Sequence, residues 1–343
     1  MLIEATAFGQ DQGRGNLIGI QPFMEIPDYR SAEAFHQKLD SYFSEAKTRG
    51  WLNSKSVVVL PEYVATWLVA AEEKRDRLYR AKTVEGAMVS LILGNFRKFW
   101  HHFWNAYAKD RVKYAIFRMK AETAARIYHS TFSRLARDYG VTVVGGSIVL
   151  PALEVTQENA VVVKEGPLFN TTLTYRPDGT AYREVLHKVY PTPQELPFTM
   201  PGKEENLPVY ATPAGRLGVL NCADSWYATP YARLKGKIDF LAVPSFVEKD
   251  FDTQKPWSGK NITPTPPEFD PKDYGTITYD DAWIKYALAA RYPLADVTHG
   301  VNVFLRGKFW SLGSDGHSIL VSGGKVQRGA QGAGAALQCV WLS

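Results

Sequence analysis

Three short stretches of the 343-residue chain carry side chains that could do chemistry together. The first is Arg216-Leu-Gly-Val-Leu-Asn-Cys222-Ala-Asp-Ser-Trp-Tyr227. Its apolar run reads as a buried strand and Ala228 onward as a helix start, which places Cys222 at the turn between them. A thiol at such an elbow is well presented, and the N–H groups that follow point at whatever the sulfur attacks. The spacing equally suits a core cysteine, since free cysteine is among the most buried residue types. The second stretch is Ser56-Val-Val-Val-Leu-Pro-Glu62, a strand buried on both faces with Glu62 just past its carboxyl end, where open α/β sheets collect active-site groups. Desolvated there, the acid would have a raised pKa suited to a general base; otherwise it is a solvated loop glutamate. The third is His187-Lys-Val-Tyr-Pro-Thr-Pro-Gln-Glu195. Pro191 and Pro193 stiffen it, so Lys188 and Glu195 either share a pocket in which an ammonium stabilises an oxyanion, or lie on a proline-rich surface loop.

The elements that would position these groups can be traced along the chain. Leu17–Met24 reads as a first strand broken at Pro22, and Ser31 opens a helix with Phe35, Leu39, Tyr42, Phe43 and Ala46 on one face, closed by Gly50. Val141–Leu150 is expected to be one central strand, with Gly145-Gly146 marking a bulge or close backbone approach. Leu168–Tyr175 and Ala181–His187 form a hairpin around Arg176-Pro-Asp-Gly179, and that hairpin delivers Lys188. Ile238–Pro244 is a buried strand leading to Ser245. Residues 248–276 are polar and proline-rich, a long loop of the kind used as a lid or binding segment. Tyr279–Asp296 reads as helix with Trp283, Tyr286, Ala287, Ala290 and Leu294 on one side. Val301–Leu305 and His317–Val321 close the sheets, and the glycine-rich end is suited to reaching over a neighbour. The resulting division is an N-terminal extension 1–16, a domain 17–326 with a helical insertion at 84–120, and a tail 327–343.

The insertion is unusual. Met88, Leu91, Ile92, Phe96, Phe99, Trp100, Phe103, Trp104 and Tyr107 form an apolar stripe at helical spacing, and from Arg97 to Lys120 seven Lys or Arg face one acid, Asp110. Such a segment packs on its own domain, lines an acyl-binding groove, joins another subunit or makes peripheral contact with a membrane through 85–120. His101 and His102 are adjacent and face different sides of a helix, a poor metal pair.

Composition is ordinary for a globular chain: 45% hydrophobic and 22% charged. A net charge of +5, from 40 basic and 35 acidic residues, is too mild to point to nucleic acid. Two cysteines are too few for a disulfide framework, and a working thiol suits a reducing, cytoplasmic compartment, with membrane association as the addition the insertion suggests. Neither a targeting pattern nor an apolar run of about 18 residues is present.

In this order, Val-Val-Leu-Pro-Glu62, His187-Lys188-Val-Tyr-Pro-Thr-Pro-Gln-Glu195 and Gly218-Val-Leu-Asn-Cys222-Ala-Asp resemble the motifs of the nitrilase (carbon–nitrogen hydrolase) superfamily, over about Asn16 to Val326. The resemblance implies a four-layer α-β-β-α sandwich, Cys222 as nucleophile, Glu62 as general base, Lys188 as oxyanion stabiliser and Glu195 as the residue that positions it. It also implies a homodimer or higher homo-oligomer, and neither a metal nor an organic cofactor. The Ala223 N–H would join Lys188 at the oxyanion, and Asp224, Trp226, Tyr227 and Ser245 are candidate substrate contacts. Nitrile hydrolases of the superfamily have Trp-Glu after the nucleophile; Ala223-Asp224 looks more like the amidase branches. A small-molecule amide is therefore the expected substrate ahead of a nitrile, with a bulky apolar or membrane-proximal one as an addition; the alternatives are transfer of the acyl group to an amine, on a lipid-like or membrane-proximal substrate, and binding without turnover.

Overall fold

The computed structural model describes residues 3–248, 253–260 and 262–343. Among these, two six-stranded sheets, a four-stranded and a three-stranded one form a mixed α/β fold. The first large sheet runs in the order Glu4–Phe8, Ala336–Trp341, Asn16–Gln21, Ser56–Val59, Thr142–Val144, Thr174–Tyr175. The second runs Val209–Thr212, Gly215–Val219, Phe240–Ser245, Gly300–Phe304, Ile319–Ser322, Lys325–Arg328. In each, three adjacent central strands are parallel, Asn16–Gln21 with Ser56–Val59 and Thr142–Val144, and Gly215–Val219 with Phe240–Ser245 and Gly300–Phe304. Their carboxyl ends carry Glu62 and Cys222.

Continuous apolar runs form these strands because both faces are covered. Leu17, Val57 and Val59 of the first sheet share a cluster with Val219, Ala242 and Val301 of the second, and a Cβ on Gly19 would meet Val303 at 2.8 Å. On its other face the first sheet packs Ile18, Val58 and Val143 against helices α1 (Ala32–Thr48) and residues of the long helix described below. α1 begins where expected: the Ser31 hydroxyl accepts a hydrogen bond from Ala34 N at 3.1 Å, satisfying one orphan N–H of the first turn. All five residues of its expected inner face are buried.

α2 (Asp76–Tyr79) precedes the insertion, which contains α3 (Val84–Gly94), α4 (Phe96–Trp104) and the first turns of α5 (Arg111–Tyr139). α5 is 29 residues long, running from the Asp110 cap, and Gly140 ends it at φ +62°. The seven basic residues divide. Arg118 and Lys120 are buried, Arg118 paired with Glu122 and Glu165 and Lys120 with Glu73 at 2.6 Å. Lys113 pairs with Asp110 at 3.6 Å. The other four are exposed.

Several expectations need correction. Residues 1–16 are no free extension, since Glu4–Phe8 pairs in parallel with Ala336–Trp341. The tail does not leave the chain either: Ala336–Trp341 lies antiparallel beside Asn16–Gln21, buried on both faces. A glycine-rich approach concealed six residues of strand-forming sequence. Val141–Leu150 is two strands, not one. The chain breaks at Gly145–Ser147, so that Thr142–Val144 joins the first sheet and Ile148–Val155 pairs with Val161–Thr172 in the three-stranded sheet. Of the expected inner face at 279–296, Ala290 and Leu294 are exposed, because the helix breaks into α7 (Tyr279–Tyr286) and α8 (Leu288–Arg291) before a turn at Tyr292–Ala295.

The loop expected at 248–276 includes 249–252 and 261, which lie outside the described residues. Its described part lacks long regular elements but is anchored by apolar side chains, with Trp257, Ile262 and Phe269 buried beside Trp226 and Trp283. No helix among the described residues is long and apolar enough to cross a membrane.

Candidate active site

Lys188 follows the short strand Leu186–His187, which pairs with Thr171–Thr172. Its Nζ donates to Glu62 Oε1 and to Glu195 Oε2, each at 2.7 Å, and all three side chains are nearly inaccessible. The pocket reading of the proline-stiffened stretch is therefore the one the fold adopts. Two residues unnoticed in the sequence complete the array. Asn170 Nδ2 donates to both carboxylates, at 2.8 Å to Glu62 and 2.8 Å to Glu195. Tyr63 donates its hydroxyl to Glu195, and Thr192 N donates to Glu195 Oε2 at 2.7 Å. The signal for Asn170 was an amide inside an otherwise apolar and hydroxyl-bearing strand, since an inward amide needs buried partners. Tyr63 gave only its position next to Glu62.

Glu62 is held by a backbone fit. Gly146, at φ +61°, brings its backbone against the preceding turn so closely that a Cβ would lie 2.2 Å from the Pro61 carbonyl oxygen. Ser147 N donates to that oxygen at 3.3 Å, and Tyr63 N donates to Ser147 Oγ at 2.9 Å. The glycine pair is thus the close approach expected of it, and it fixes the turn that carries the acid.

Cys222 starts a one-turn 3₁₀ segment, Cys222–Trp226, directly after Gly215–Val219 and before α6 (Ala228–Leu234). Its φ of +47° is a left-handed conformation that costs a non-glycine residue of order 1–3 kcal/mol and persists only where the surroundings over-determine it. They do: Ser225 Oγ donates to Cys222 O at 2.7 Å, and Tyr231 OH donates to Ser225 O at 3.0 Å. The thiol donates to Phe246 O at 3.6 Å and lies close enough to the Glu62 carboxylate to feel its charge.

Electrostatics follow from the burial of three ionisable groups around one ammonium. Burial pushes Glu62 up despite the opposing charge of Lys188. Burial would also raise Glu195, but Lys188 and the bonds from Tyr63 and Thr192 hold it below the usual range. Burial lowers a lysine, yet the two carboxylates carry Lys188 well above its ordinary value. Burial and the nearby Glu62 raise the Cys222 thiol. These directions favour an ammonium on Lys188, an ionised Glu195 and a neutral thiol, and they give Glu62 the higher proton affinity of the two carboxyls.

All four of these groups line one cavity of about 580 Å³, within the range of about 300–1,000 Å³ typical of small-molecule sites. Ala223 and Trp226 line it too. Three candidate contacts do not. Asp224 faces inward and accepts hydrogen bonds from Val189 N (3.0 Å), Tyr190 N (2.7 Å) and Asn221 N (3.3 Å), clamping the chain after Lys188 to the elbow. Burial pushes its carboxyl up to about 7. Tyr227 stacks on Tyr190 at 3.6 Å and donates to Pro264 O at 2.7 Å, tying down the long loop. Ser245 is buried at the end of its strand, where its carbonyl accepts from Leu305 N at 3.1 Å. The aromatic wall beside the thiol comes instead from Trp226, Tyr279 and Trp283. Among the described residues no group of His, Cys, Asp or Glu is arranged to hold a metal ion.

Comparison with known proteins agrees with this geometry. The profile of the carbon-nitrogen hydrolase family matches residues 17–238. Solved structures with the same fold include the amidase of Nesterenkonia sp. AN1. A double mutant of that enzyme in complex with acrylamide is 14% identical at a TM-score of 0.55, covering 97% of this chain and 92% of its own. A mutant carrying the acetamide moiety of fluoroacetamide on its active-site cysteine is 15% identical at a TM-score of 0.54, with 97% and 92% covered. Curated proteins gave no match. The profile covers well over half of the sequence, and the chain belongs to the carbon–nitrogen hydrolase family.

Proposed function

We propose that the protein hydrolyses the C–N bond of a carboxamide through a thioester on Cys222. The observation that carries this reading is the Lys188 ammonium fixed at 2.7 Å from both Glu62 and Glu195, in the same cavity as the thiol. Amide carbons are poor electrophiles, so covalent catalysis by an activated sulfur divides one difficult step into two. Cys222 Sγ attacks the carbonyl carbon while its proton passes to Glu62. The tetrahedral oxyanion is held by Lys188, whose ammonium has three donors, and by the Ala223 N–H. Collapse expels ammonia, which takes the proton from Glu62, and leaves the thioester. Water then adds with Glu62 as base; the acid departs and the thiol is restored.

Ala223-Asp224 after the nucleophile supports an amide in preference to a nitrile, as does the likeness to an amidase that binds acrylamide. The two clusters that flank the large sheets on their outer faces favour the α-β-β-α layering of the superfamily. Ammonia release from a panel of amides and nitriles tests the reaction. Amides are expected to be turned over, with activity lost in Cys222→Ala and reduced about 10²–10⁴-fold in Glu62→Gln. Turnover by Cys222→Ala would refute the mechanism. A new amide formed only when an amine is added would assign acyl transfer in place of hydrolysis, and absence of any acyl adduct on Cys222 by intact mass would assign binding alone.

A further inference from the structure

The cavity is much larger than a small amide requires, and its lining is of two kinds. Beside Cys222 stand Glu62, Lys188 and Glu195 and the aromatic wall; another part of the lining is Leu78, Ala87, Met88, Leu91, Ile116 and Phe117, from α2, α3 and α5, with Glu85 and Lys113 the charged side chains those helices add. Leu78, Ala87, Leu91 and Ile116 are buried and belong to one apolar cluster with Val69 and Phe99. A substrate confined to the carboxylates and the thiol would not touch this mostly apolar arm, whereas each methylene placed against it leaves water. Resting on the amide-hydrolase reading, we propose that the arm takes the acyl chain of a fatty amide, and that α3 sets its depth through Ala87, Met88 and Leu91. The chain belongs to the acyl part for a kinetic reason: the acyl group stays on Sγ through both half-reactions, while the amine must depart before water enters.

Binding of unbranched primary amides from acetamide to decanamide to the Cys222→Ala variant, followed by calorimetry, reads the arm without turnover. Affinity is expected to rise about two- to fourfold per methylene until the arm is full. Ala87→Phe and Leu91→Phe, tested separately so that one misfolded variant does not decide the matter, should each cut the decanamide-to-acetamide affinity ratio at least tenfold. Met88→Ala should move the optimum to longer chains. Affinity that stays flat or falls beyond propionamide, or a ratio unchanged in both phenylalanine variants, overturns the proposal. Ammonia release from the same series by the wild type separates the two readings: chain-length-dependent binding with no ammonia from any amide rejects hydrolysis and leaves the arm assigned.

The outer side of the same helices carries an independent inference. Among the described residues, seven of the twelve exposed large apolar side chains fall between Val89 and Val112, and Trp104 and Tyr107 are 67% and 60% exposed. Trp100 stacks on Trp104 at 5.9 Å and meets Phe96 edge-on at 6.0 Å, so they form one surface. Arg97, Lys98, Lys109 and Arg111 are exposed on the same segment, Arg97 next to the aromatic face, and no ion pair holds them among the described residues. Clustered tryptophan and tyrosine with basic residues on the same segment match an anionic lipid surface, where aromatic rings seat at headgroup depth and each Lys or Arg adds attraction. A second copy fits less well, because a two-fold contact would bring the basic residues of both copies together. The structure assigns this face to the surface of an anionic bilayer.

Co-sedimentation with phosphatidylcholine vesicles, with and without phosphatidylglycerol, tests it. The wild type is expected to pellet with the anionic vesicles and to be released by high salt. Trp100→Ser/Trp104→Ser should abolish pelleting, and Arg97→Glu or Lys98→Glu should weaken it about fivefold or more. Failure to pellet with either vesicle, pelleting indifferent to these substitutions, or a dimer in solution that the tryptophan substitutions dissociate would overturn the assignment.

Discussion

Lys188→Met tests the electrostatic core of the site most directly, because it removes the ammonium while keeping an unbranched chain of similar length. Nζ lies 2.7 Å from an oxygen of each carboxylate, and the three side chains are between 1% and 4% exposed. At an effective dielectric of about 20, each contact is worth about 6 kcal/mol of attraction. Dehydration of the three groups offsets most of that, and removing one partner of a buried pair costs about 3–5 kcal/mol. That is a large fraction of the stability of a typical domain. The loss should depend on pH. Without the ammonium, Glu62 and Glu195, both tied to Asn170 Nδ2 at 2.8 Å, have folded-state pKa values above the unfolded value of about 4.3. The native variant then binds more protons than its unfolded state above that pH, so its stability falls as pH rises. In the wild type Glu195 has the opposite sign, being depressed: its contribution is present above the unfolded value and is lost on acidification. The deficit of Lys188→Met should therefore be small near pH 4.5 and reach about 3–5 kcal/mol at pH 7.5, measured by urea unfolding followed by tryptophan fluorescence. Adding Glu62→Gln should restore part of it. An equal deficit at both pH values, or a double variant no more stable than the single one, would refute the reasoning.

Three further outcomes follow from the same geometry. Asp224, with its folded pKa pushed up to about 7, contributes stability that is full below the unfolded value near 4 and lost as pH rises through about 7. Asp224→Asn should flatten this dependence, changing the wild-type-to-variant difference by up to about 4 kcal/mol between pH 4 and pH 8 in denaturant titrations. Gly146→Ala places a Cβ 2.2 Å from Pro61 O and must displace the turn bearing Glu62; turnover should fall about 100-fold, and an unchanged kcat would contradict the assigned fit. Asn170→Leu removes a donor shared by both carboxylates, which favours their neutral forms. The acid limb of the kcat/KM profile should move to higher pH, and an unmoved limb would exclude Asn170 from positioning Glu62.

The local signals in the chain were sufficient wherever a single period or a single turn residue decided the matter. Ser31 caps its helix as read, the buried run Ser56–Val59 is a strand, and Glu62, Lys188 and Cys222 stand at the ends of elements that local pattern identified. The sequence also named Glu195, because two prolines limit where the chain after Lys188 can go. What it left open was whether these groups were solvated or buried together, since burial is a property of contacts between residues more than a hundred positions apart, as for Lys188 and Glu62.

Only the tertiary structure decided the rest. A six-residue strand behind a glycine-rich run becomes part of a sheet when its partner Asn16–Gln21 is already in place, and the first residues become an edge only because that strand is there. Asp224, Tyr227 and Ser245 were reasonable substrate contacts by position in sequence, but successive side chains of a turn or a strand point to different sides, and these three lie against backbone donors, a ring and a neighbouring strand. The residue types that can act on a C–N bond were fixed locally, whereas the charge each group holds, and the space left around the thiol, come from packing: dehydration sets the one, and the facing helices set the other.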